Sequence, residues 1–300
     1  AFSMGEMCVG ARPCVPWPDR FDVRRLDDAT LLAEAVPAVC AGVGEQGVPA
    51  PLVELVRIPP EGENIPFTMG SQDGDPDEQP VHTFQVWPNY LDRHEATNEE
   101  FALFLNDHGN DCEGHPCVDP AGAGLRIAEQ EGIWVAEEDF ERHPVVRVTW
   151  YGADAYCQWR RLLLPYESNW EMAASAMAER SYPWGNELPG CDRVLYADCG
   201  TKGPAPVCTH SSGNSREGLC DLAGNVSEWI RDCYKEDQYA TCTADSSCTR
   251  GPYTGDEHVI RGGSFSLPAH NLRATDRDHA PPDQAASDRG LRCMASNPSF

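Results

Sequence analysis

The chain has 300 residues, of which 41% are hydrophobic, and this content is sufficient for a substantial core in one large domain or two average ones. Its formal net charge is −25, from 48 acidic and 23 basic side chains. Such a charge repels phosphate backbones and anionic membrane surfaces, which excludes nucleic acid as an expected partner and leaves solubility or the attraction of cations as its role.

Cysteine is unusually abundant, with 14 residues in the chain. An even number permits complete pairing, and such usage is typical of an oxidising compartment. A metal site is the weaker alternative because no Cys-x-x-Cys occurs, and three close pairs favour local disulfides: Cys8 with Cys14, Cys112 with Cys117, and Cys242 with Cys248. We therefore expect a secreted, periplasmic or cell-surface protein.

No apolar run reaches the ~20 residues that a membrane helix requires, so no membrane-spanning segment is predicted. The N-terminus also lacks a basic region followed by an apolar stretch. The sequence is therefore expected to be a mature or trimmed form that is exported, or tethered before residue 1.

Residues 1–50 are predicted to form a disulfide-stapled N-terminal extension. One short helix is predicted over Asp27–Val36, where Pro37 would end it. The pattern changes after this point, so a second domain is predicted over residues 51–300. The extension carries three cysteines among proline-rich segments: Cys8, Cys14 and Cys40.

Alternating hydrophobic and polar residues predict a strand from Val53, where the sequence reads Val-Glu-Leu-Val-Arg-Ile, and another over Thr83–Leu91. Thr97 is a predicted N-cap, because it precedes Asn-Glu-Glu and a helical pattern of apolar residues. The buried face of this helix is predicted to consist of Phe101, Phe104 and Leu105.

Residues 106–142 are predicted to be a polar surface insertion that carries Cys112 and Cys117 and contributes to specificity. Two helices are predicted next, one that holds Ala153–Trp159 and one around Trp170–Ala178. The remainder is rich in Gly, Pro, Asn, Ser and Cys. Long irregular connections held by disulfides and ions are therefore expected there.

Basic and acidic side chains are interleaved near the C-terminus. Because exposed ion pairs contribute little to stability, we expect these groups to form internal pairs that fix the geometry of loops. The basic members are Arg261, Arg273, Arg277, Arg289 and Arg292, and the acidic members are Asp276, Asp278, Asp283 and Asp288.

Several short motifs occur along the chain in a definite order. The longest reads Gly-Leu-x-Asp-x-x-Gly-Asn-Val-x-Glu-Trp, at Gly218–Trp229. The others lie at Phe67–Gly70, Glu78–His82, Glu95–Asn98, His143–Trp150, Asp154–Trp159, Tyr182–Asn186, Arg261–Ser264 and Gly290–Cys293. In this order they resemble the motifs of the formylglycine-generating enzyme, or sulfatase-modifying factor, family.

The resemblance implies an α+β, C-type-lectin-like fold with few strands, two main helices and long loops pinned by disulfides and calcium. It also implies a calcium ion, which prefers oxygen ligands that a glycine-containing turn can bring together. The alternative is that Glu228 caps a neighbouring turn without an ion. The implied ligands are the side chains of Asp221 and Glu228 and the backbone oxygens of Gly224 and Val226.

Two further expectations come from the resemblance. A second calcium position of the family retains only Asp198 here, so disulfides of Cys199 and Cys208 are expected to hold this shortened loop instead. Cys157 and Cys293 occupy positions that some family members bridge. This pair is the predicted long-range disulfide.

The resemblance does not extend to the copper site of the family. Copper-dependent members carry a cysteine pair soon after the Gly-Gly-Ser turn, whereas Leu267 and Leu272 stand at the corresponding positions. Aliphatic side chains cannot replace the soft thiolates that select cuprous ion. No copper cofactor and no formylglycine-generating activity are therefore expected.

The segment after the Gly-Gly-Ser turn supplies the remaining candidate residues. By analogy with the family, the ligand-binding loop is predicted at Phe265, Leu267, His270 and Asn271. An enzyme without the copper cysteines would need other polar groups, and Ser264, His270 and His279 are the first to test. Solvated loop histidines are the alternative.

Two functions therefore remain open. The leading hypothesis is an exported, calcium-stabilised module that binds an unknown protein or small-molecule ligand, or has a structural role, without copper oxidase activity. The alternative is an extracytoplasmic oxidoreductase or tailoring enzyme of the same family. Motifs of hydrolases, kinases and dehydrogenases do not occur in the sequence.

Overall fold

The alternating and capping patterns become strands and helices in a computed structural model, which describes residues 21–25, 30–35, 53–59, 65–242 and 255–296. The chain divides into two units, Ala1–Glu54 and Leu55–Phe300. Within the described residues, the strands are β1 (Phe21–Arg25), β2 (Thr30–Ala35), β3 (Val53–Ile58), β4 (Ile65–Met69), β5 (His82–Val86), β6 (Asn89–Asp92), β7 (Ile127–Gln130), β8 (Ile133–Ala136), β9 (Ser227–Cys233), β10 (His258–Arg261), β11 (Asp278–Ala280), β12 (Arg289–Gly290) and β13 (Met294–Ser296). The helices are α1 (Asn98–His108), α2 (Trp150–Trp159), α3 (Glu167–Ala174) and α4 (Gln238–Cys242).

In the first unit, β1 and β2 form an antiparallel pair in which Phe21 faces Ala35. The predicted helix over Asp27–Val36 is wrong, because most of it is strand β2. A short isolated helix is marginal in water, whereas an adjacent strand satisfies the backbone groups of β2 directly. The predicted stapling by Cys8, Cys14 and Cys40 falls outside the described residues.

The second unit contains several small sheets rather than one large one. Strand β6 lies between β3 and β13 and is antiparallel to both. A further sheet has the order β11-β10-β9-β12, in which only β12 runs parallel to its neighbour. Strands β4 and β5 pair with each other, as do β7 and β8. Short strands, helices and long connections confirm the α+β, C-type-lectin-like class.

The predicted N-cap of α1 is confirmed. Glu100 N donates to Thr97 Oγ1 at 3.4 Å, and Thr97 N donates to Glu100 Oε2 at 2.9 Å, which forms a reciprocal capping box. Phe101, Phe104 and Leu105 are at most 1% exposed. The capped helix therefore buries the face that its apolar spacing predicts.

The helix predicted around Trp170–Ala178 is α3, which ends earlier than predicted, at Ala174. The three residues at positions 176–178 have φ values of 46°, 70° and 70°. This left-handed backbone is costly for residues with a Cβ and cannot continue a right-handed helix. None of the helices in the described ranges is long and apolar enough to span a bilayer.

The sheet of β9 and β10 is buried on both faces and separates two hydrophobic clusters. Trp229 and Ile260 belong to the cluster around α1 and α2. Ile230 and Val259 belong to the cluster that contains Trp170. Because successive side chains of a strand point to opposite faces, each strand contributes to both clusters.

Four disulfides connect described residues. The Cys157–Cys293 bridge joins α2 to the segment before β13 across 136 positions of sequence. Cys233 is buried and has no disulfide partner within the described residues. The predicted Cys8–Cys14 and Cys242–Cys248 pairs are not covered, because Cys8, Cys14 and Cys248 lie outside those residues. The other bridges close short loops: Cys112–Cys117, Cys191–Cys199 and Cys208–Cys220.

Replacement of both Cys157 and Cys293 by alanine is expected to lower the free energy of unfolding by about 5 kcal/mol, because loop-closure entropy grows with loop length. The Cys112→Ala/Cys117→Ala variant is the matched control. It opens a loop across 5 positions and is expected to lose about 2 kcal/mol. Urea unfolding measures both values, and equal losses would contradict an entropic origin.

Candidate functional site

The segment from Asp221 to Glu228 is a tight turn that leads into β9. Asp221, Gly224 and Asn225 have positive φ values of 55°, 71° and 55°. A Cβ at Gly224 would lie 2.3 Å from the backbone oxygen of Leu195, so no larger residue fits. Three of the four predicted calcium-binding residues lie on this turn, Asp221, Gly224 and Val226, and the fourth, Glu228, is the second residue of β9.

Glu228 is buried and forms an ion pair with Arg292. Arg292 Nη2 donates to Glu228 Oε1 at 2.7 Å, and Arg292 Nε donates to Glu228 Oε2 at 2.8 Å. Trp170 Nε1 donates to the same Oε2 at 2.8 Å. Glu228 therefore neutralises a buried guanidinium, a role that sequence reasoning did not predict.

Glu95 is a residue of this site that sequence reasoning missed. It is fully buried, and its carboxylate accepts hydrogen bonds from Asn225 Nδ2 at 2.7 Å and from Val226 N at 3.1 Å. Burial raises the pKa of Glu95 well above its ordinary value, and the nearby carboxylates of the turn raise it further. The available signal was its position in the Glu-Ala-Thr-Asn motif.

Negative charge is in excess around this turn. Glu228 contacts the guanidinium of Arg292, whereas Glu95 and Asp221 act on the pKa of Arg292 only through their charge. Burial also raises the pKa of Asp221, whose Oδ2 accepts a hydrogen bond from Cys208 N at 2.7 Å. A further positive charge would stabilise the ionised form of these groups.

The backbone oxygens of the turn are of the type that a hard cation takes as ligands. Gly224 and Val226 are buried, and their carbonyl oxygens accept no hydrogen bond from any residue that the structure describes. Buried carbonyl groups without partners are uncommon in folded proteins. Together with the carboxylates, they are the ligands that calcium prefers.

The Gly-Gly-Ser turn follows β10 and packs against the same region. Gly262 and Gly263 have φ values of 97° and 66°. A Cβ at Gly263 would lie 2.6 Å from a backbone oxygen of the following loop, so the position requires glycine. Gly224 N donates to Gly262 O at 2.9 Å, which joins this turn to the Asp221–Glu228 turn.

Ser264 is fully buried, and its hydroxyl donates to Asp288 Oδ2 at 2.8 Å. Ser266 donates to the same oxygen, and the two serine hydroxyl oxygens are 3.1 Å apart. No histidine contacts Ser264 within the described ranges. This group is a hydrogen-bonded cluster and lacks the oriented histidine base of a Ser-His-Asp site.

The predicted ligand-binding loop is partly exposed and held by backbone hydrogen bonds. Phe265 N donates to Asn225 O at 2.8 Å, and Ala197 N donates to Leu267 O at 3.0 Å. These contacts fix the start of the loop to two separate segments. Of the predicted residues, His270 is exposed, and the other three are half-buried: Phe265, Leu267 and Asn271.

Leu272 is part of the hydrophobic core rather than the surface. Its side chain is 0% exposed. Burial of this aliphatic side chain is favourable through the hydrophobic effect alone. Leu272 therefore packs in the core and offers no atom that could bind a metal ion. It lies in a cluster with Tyr182, Val194, Tyr196 and Ala223.

The structure does not bring the three candidate catalytic residues together. His279 stacks on Tyr234 with ring centroids 3.8 Å apart, and its Nδ1 lies 2.8 Å from Glu257 Oε2. The side chain of His270 is exposed. In the described part of the chain, neither histidine contacts Ser264.

The prediction of internal ion pairs is confirmed for four arginines near the C-terminus. Their main partners are glutamates from distant parts of the chain rather than the neighbouring aspartates, so the pairs tie loops to the core. The pairs are Arg261 with Glu171, Arg273 with Glu78, Arg277 with Glu167, and Arg292 with Glu228.

Comparison with known proteins gives a consistent result. A family model described as the Sulfatase-modifying factor enzyme 1-like domain matches residues 49–297. The formylglycine-generating enzyme of Thermomonospora curvata is 33% identical over 275 residues, which cover 76% of this chain and 90% of that protein. The structure of PvdO from Pseudomonas aeruginosa has a TM-score of 0.62 and 22% identity, and covers 81% of this chain and 94% of that chain. This last likeness concerns the fold alone.

One relative is much longer than the segment that matches. Serine/threonine-protein kinase Pkn1 of Chlamydia trachomatis serovar L2 is 36% identical over 251 residues, which cover 83% of this chain. The chain spans only 39% of the length of that protein. The match therefore concerns a part of the kinase.

Arg292→Met is expected to lower the free energy of unfolding by about 3 to 5 kcal/mol, because it leaves Glu228 as a buried charge without a partner. Arg126→Met is the matched control, since Arg126 pairs with Glu137 at side-chain exposures of 43% and 50%. It is expected to cost less than about 1 kcal/mol. Urea unfolding measures the free energy of unfolding of both variants. An equally small loss in the two would show that the buried pair does not stabilise the fold.

Proposed function

Because the chain belongs to the sulfatase-modifying factor enzyme 1-like family, we propose that it is an exported, calcium-stabilised module that binds a protein or small-molecule ligand, or has a structural role, without copper oxidase activity. Family membership carries the fold, whereas activity depends on particular side chains. The observation that carries the proposal is the presence of Leu267 and Leu272 where the resemblance places the copper ligands.

The environment of these leucines supports the proposal. Leu272 is fully buried in a hydrophobic cluster, and Leu267 is half-buried. No other cysteine can supply the missing sulfur from this segment, because Cys293 is the only one after Cys248 in the sequence and it is bridged to Cys157. A soft metal ion would therefore find no thiolate here.

The activities named for the relatives depend on residues or segments that this chain does not share. The Thermomonospora protein is a formylglycine-generating enzyme, but that activity does not transfer to a chain without the thiolate pair. The kinase name of the chlamydial relative does not transfer either, since the chain spans 39% of that protein. The sequence of the present chain also contains no glycine-rich phosphate-binding loop.

The proposed ligand surface is the loop Phe265–Asn271, with the Cys112–Cys117 insertion and the segment Asp276–Asp288. Partly exposed side chains on a loop that is fixed to a rigid frame suit recognition. The alternative enzyme would need Ser264, His270 and His279 to act together, and their separation favours the binding module. The four disulfides support export to an oxidising compartment.

Calcium is proposed to bind at the turn that precedes β9. When bound, the ion would supply positive charge to a buried acidic cluster and hold the turn in its left-handed conformation. The residues that would hold it are Asp221, Gly224, Val226 and Glu228, with Glu95 as an additional carboxylate.

Copper chemistry is tested by titrating the purified protein with cuprous ion against a chromophoric chelator and by recording oxygen consumption with a cysteine-containing sulfatase peptide. We expect neither stoichiometric copper binding nor oxygen-dependent loss of the peptide thiol. The Leu267→Cys/Leu272→Cys variant should gain copper binding, because it restores two soft ligands.

The matched control for this variant is Leu267→Ala/Leu272→Ala, which changes the packing without adding sulfur. Tight binding of one copper ion per wild-type chain, or conversion of the peptide cysteine to an aldehyde, would overturn the proposal.

Calcium binding is expected to raise the free energy of unfolding by about 2.7 kcal/mol when the ion is present at roughly 100 times its Kd. A chelator should lower the Tm of the wild type, and added calcium should restore it. Asp221→Asn should abolish this response, whereas Asp192→Asn, an exposed matched control, should retain it.

Glu228→Ala is a poor test of calcium, because it also breaks the buried pair with Arg292. A chelator that leaves the Tm unchanged, or an Asp221→Asn variant that still responds to calcium, would contradict the calcium assignment.

A further inference from the structure

A cleft of about 230 Å³ opens beside the C-terminal end of α3, apart from the predicted ligand loop. Pockets for drug-sized ligands are typically about 300–1,000 Å³, so this cleft suits a smaller molecule. None of the four predicted loop residues lines it. Its walls come from four separate parts of the chain: Gly70 and Ser71; Glu171, Ser175 and Ala178–Ser181; Asn186; and Arg273 and Thr275.

Most of the residues that line the cleft carry a polar side chain. It offers hydroxyl groups from three serines and a threonine, one side-chain amide, two carboxylates and two guanidinium groups, and only Gly70 and Ala178 lack a polar side chain. An apolar ligand would leave these hydrogen-bonding groups without partners, which is costly. Polar walls instead select a ligand by hydrogen bonds and charge.

One short segment supplies the hydrogen-bond donors that are still available. Arg180 Nη1 donates to Pro183 O at 3.2 Å, and Arg180 forms no ion pair with any described residue. Asn186 uses its Oδ1 to accept from Ser181 N at 2.8 Å. The amide nitrogen of Asn186 and the hydroxyl of Ser181 make no hydrogen bond within the described residues. A guanidinium with an amide and a hydroxyl is a set that suits a carboxylate.

Two glutamates supply acceptors. Glu171 is 1% exposed and is fixed by Gly70 N, which donates to its Oε1 at 2.7 Å, and by an ion pair with Arg261. Glu179 is exposed, and its carboxylate has no partner among the described side chains. Because Glu171 is already paired with Arg261, Glu179 is the carboxylate that is available to an ammonium group.

The left-handed turn at positions 176–178 places these groups. Ser175 O accepts from both Glu179 N and Arg180 N at 3.1 Å, and Ser175 Oγ accepts from Ala178 N at 3.0 Å. The two charged residues are thus attached to one carbonyl at the end of α3. Left-handed backbone costs energy in residues with a Cβ, and such strain concentrates at functional sites.

The second guanidinium of the cleft is already neutralised. Arg273 Nη2 lies 2.6 Å from Glu78 Oε1, 3.1 Å from Asp75 Oδ2 and 3.4 Å from Asp276 Oδ1. It therefore contributes shape and hydrogen bonds rather than net positive charge. With a protein charge of −25, a ligand that carries only negative charge would also be repelled.

We propose that this cleft binds a small zwitterion of the α-amino-acid class. The carboxylate of the ligand lies at Arg180, Ser181 and Asn186, and its ammonium group lies at Glu179. The site does not depend on the ligand loop, the copper positions or calcium, so it stands independently of the function proposed above.

The test uses the full chain, with thermal shift and then calorimetric titration against the common L-amino acids. At least one amino acid should bind saturably. Its methyl ester, which lacks the carboxylate, and its N-acetyl derivative, which lacks the ammonium group, should each bind roughly 10- to 100-fold more weakly, since a charge-assisted hydrogen bond is lost in each case.

Two variants separate the two ends of the ligand. Arg180→Gln should lower the affinity for the amino acid to that of its methyl ester. Glu179→Gln should also lower the affinity for the amino acid, and this variant should bind the amino acid and its N-acetyl derivative equally. Arg193→Gln is the matched control, because Arg193 is also partly exposed but does not line the cleft.

Three results would overturn the assignment. They are an absence of binding by any amino acid, equal binding of the ester or the N-acetyl derivative, and wild-type affinity in Arg180→Gln. Glucose, as an uncharged polyol probe, is expected not to bind, and its binding in place of amino acids would show that the hydroxyl groups rather than the charges select the ligand. None of these outcomes bears on the copper measurement.

Discussion

The buried ion pair of Glu228 and Arg292 is the interaction on which the frame of the second unit depends. Arg292 also donates to the backbone oxygen of Asp92, and the next residue, Cys293, donates its amide to the Asp92 side chain. Asp92 in turn receives two hydrogen bonds from Arg160 at the end of α2. Since a deeply buried charge is costly unless it is paired, these contacts hold strands and helix in one arrangement.

The features predicted correctly from sequence have local causes. Thr97 and Glu100 cap the same helix from neighbouring positions, and the order of the motifs specifies the fold class. Contacts between distant residues were not predictable, because a single sequence does not say which segments meet. Glu95 and Asn225 are 130 positions apart, so the contribution of Glu95 to the turn appears only in three dimensions. The helix predicted over Asp27–Val36 failed for the same reason, since a neighbouring strand decides its structure.

The candidate site was predictable to a similar extent. Sequence reasoning found the turn before β9 and the loop after the Gly-Gly-Ser motif, because motifs mark both. It did not find the cleft beside α3, whose walls come from four separated segments with no shared pattern. The left-handed residues at positions 176–178 also carried no glycine or proline to mark a turn. The buried charges that form the frame are therefore different residues from the exposed loop groups that are proposed to contact a ligand.

Asn225 connects two regions that could otherwise act separately. Its side chain contacts Glu95 and the amide of Ala205, and its backbone oxygen holds the amide of Phe265 at the start of the ligand loop. An ion bound at the turn would therefore restrict the residue that also orients the loop. Coupling between two binding sites is reciprocal. If the ion raises the affinity for a partner that prefers the ordered loop, that partner would raise the affinity for the ion by the same factor. Recognition by this protein would then be allosterically tuned by the free calcium level of its surroundings.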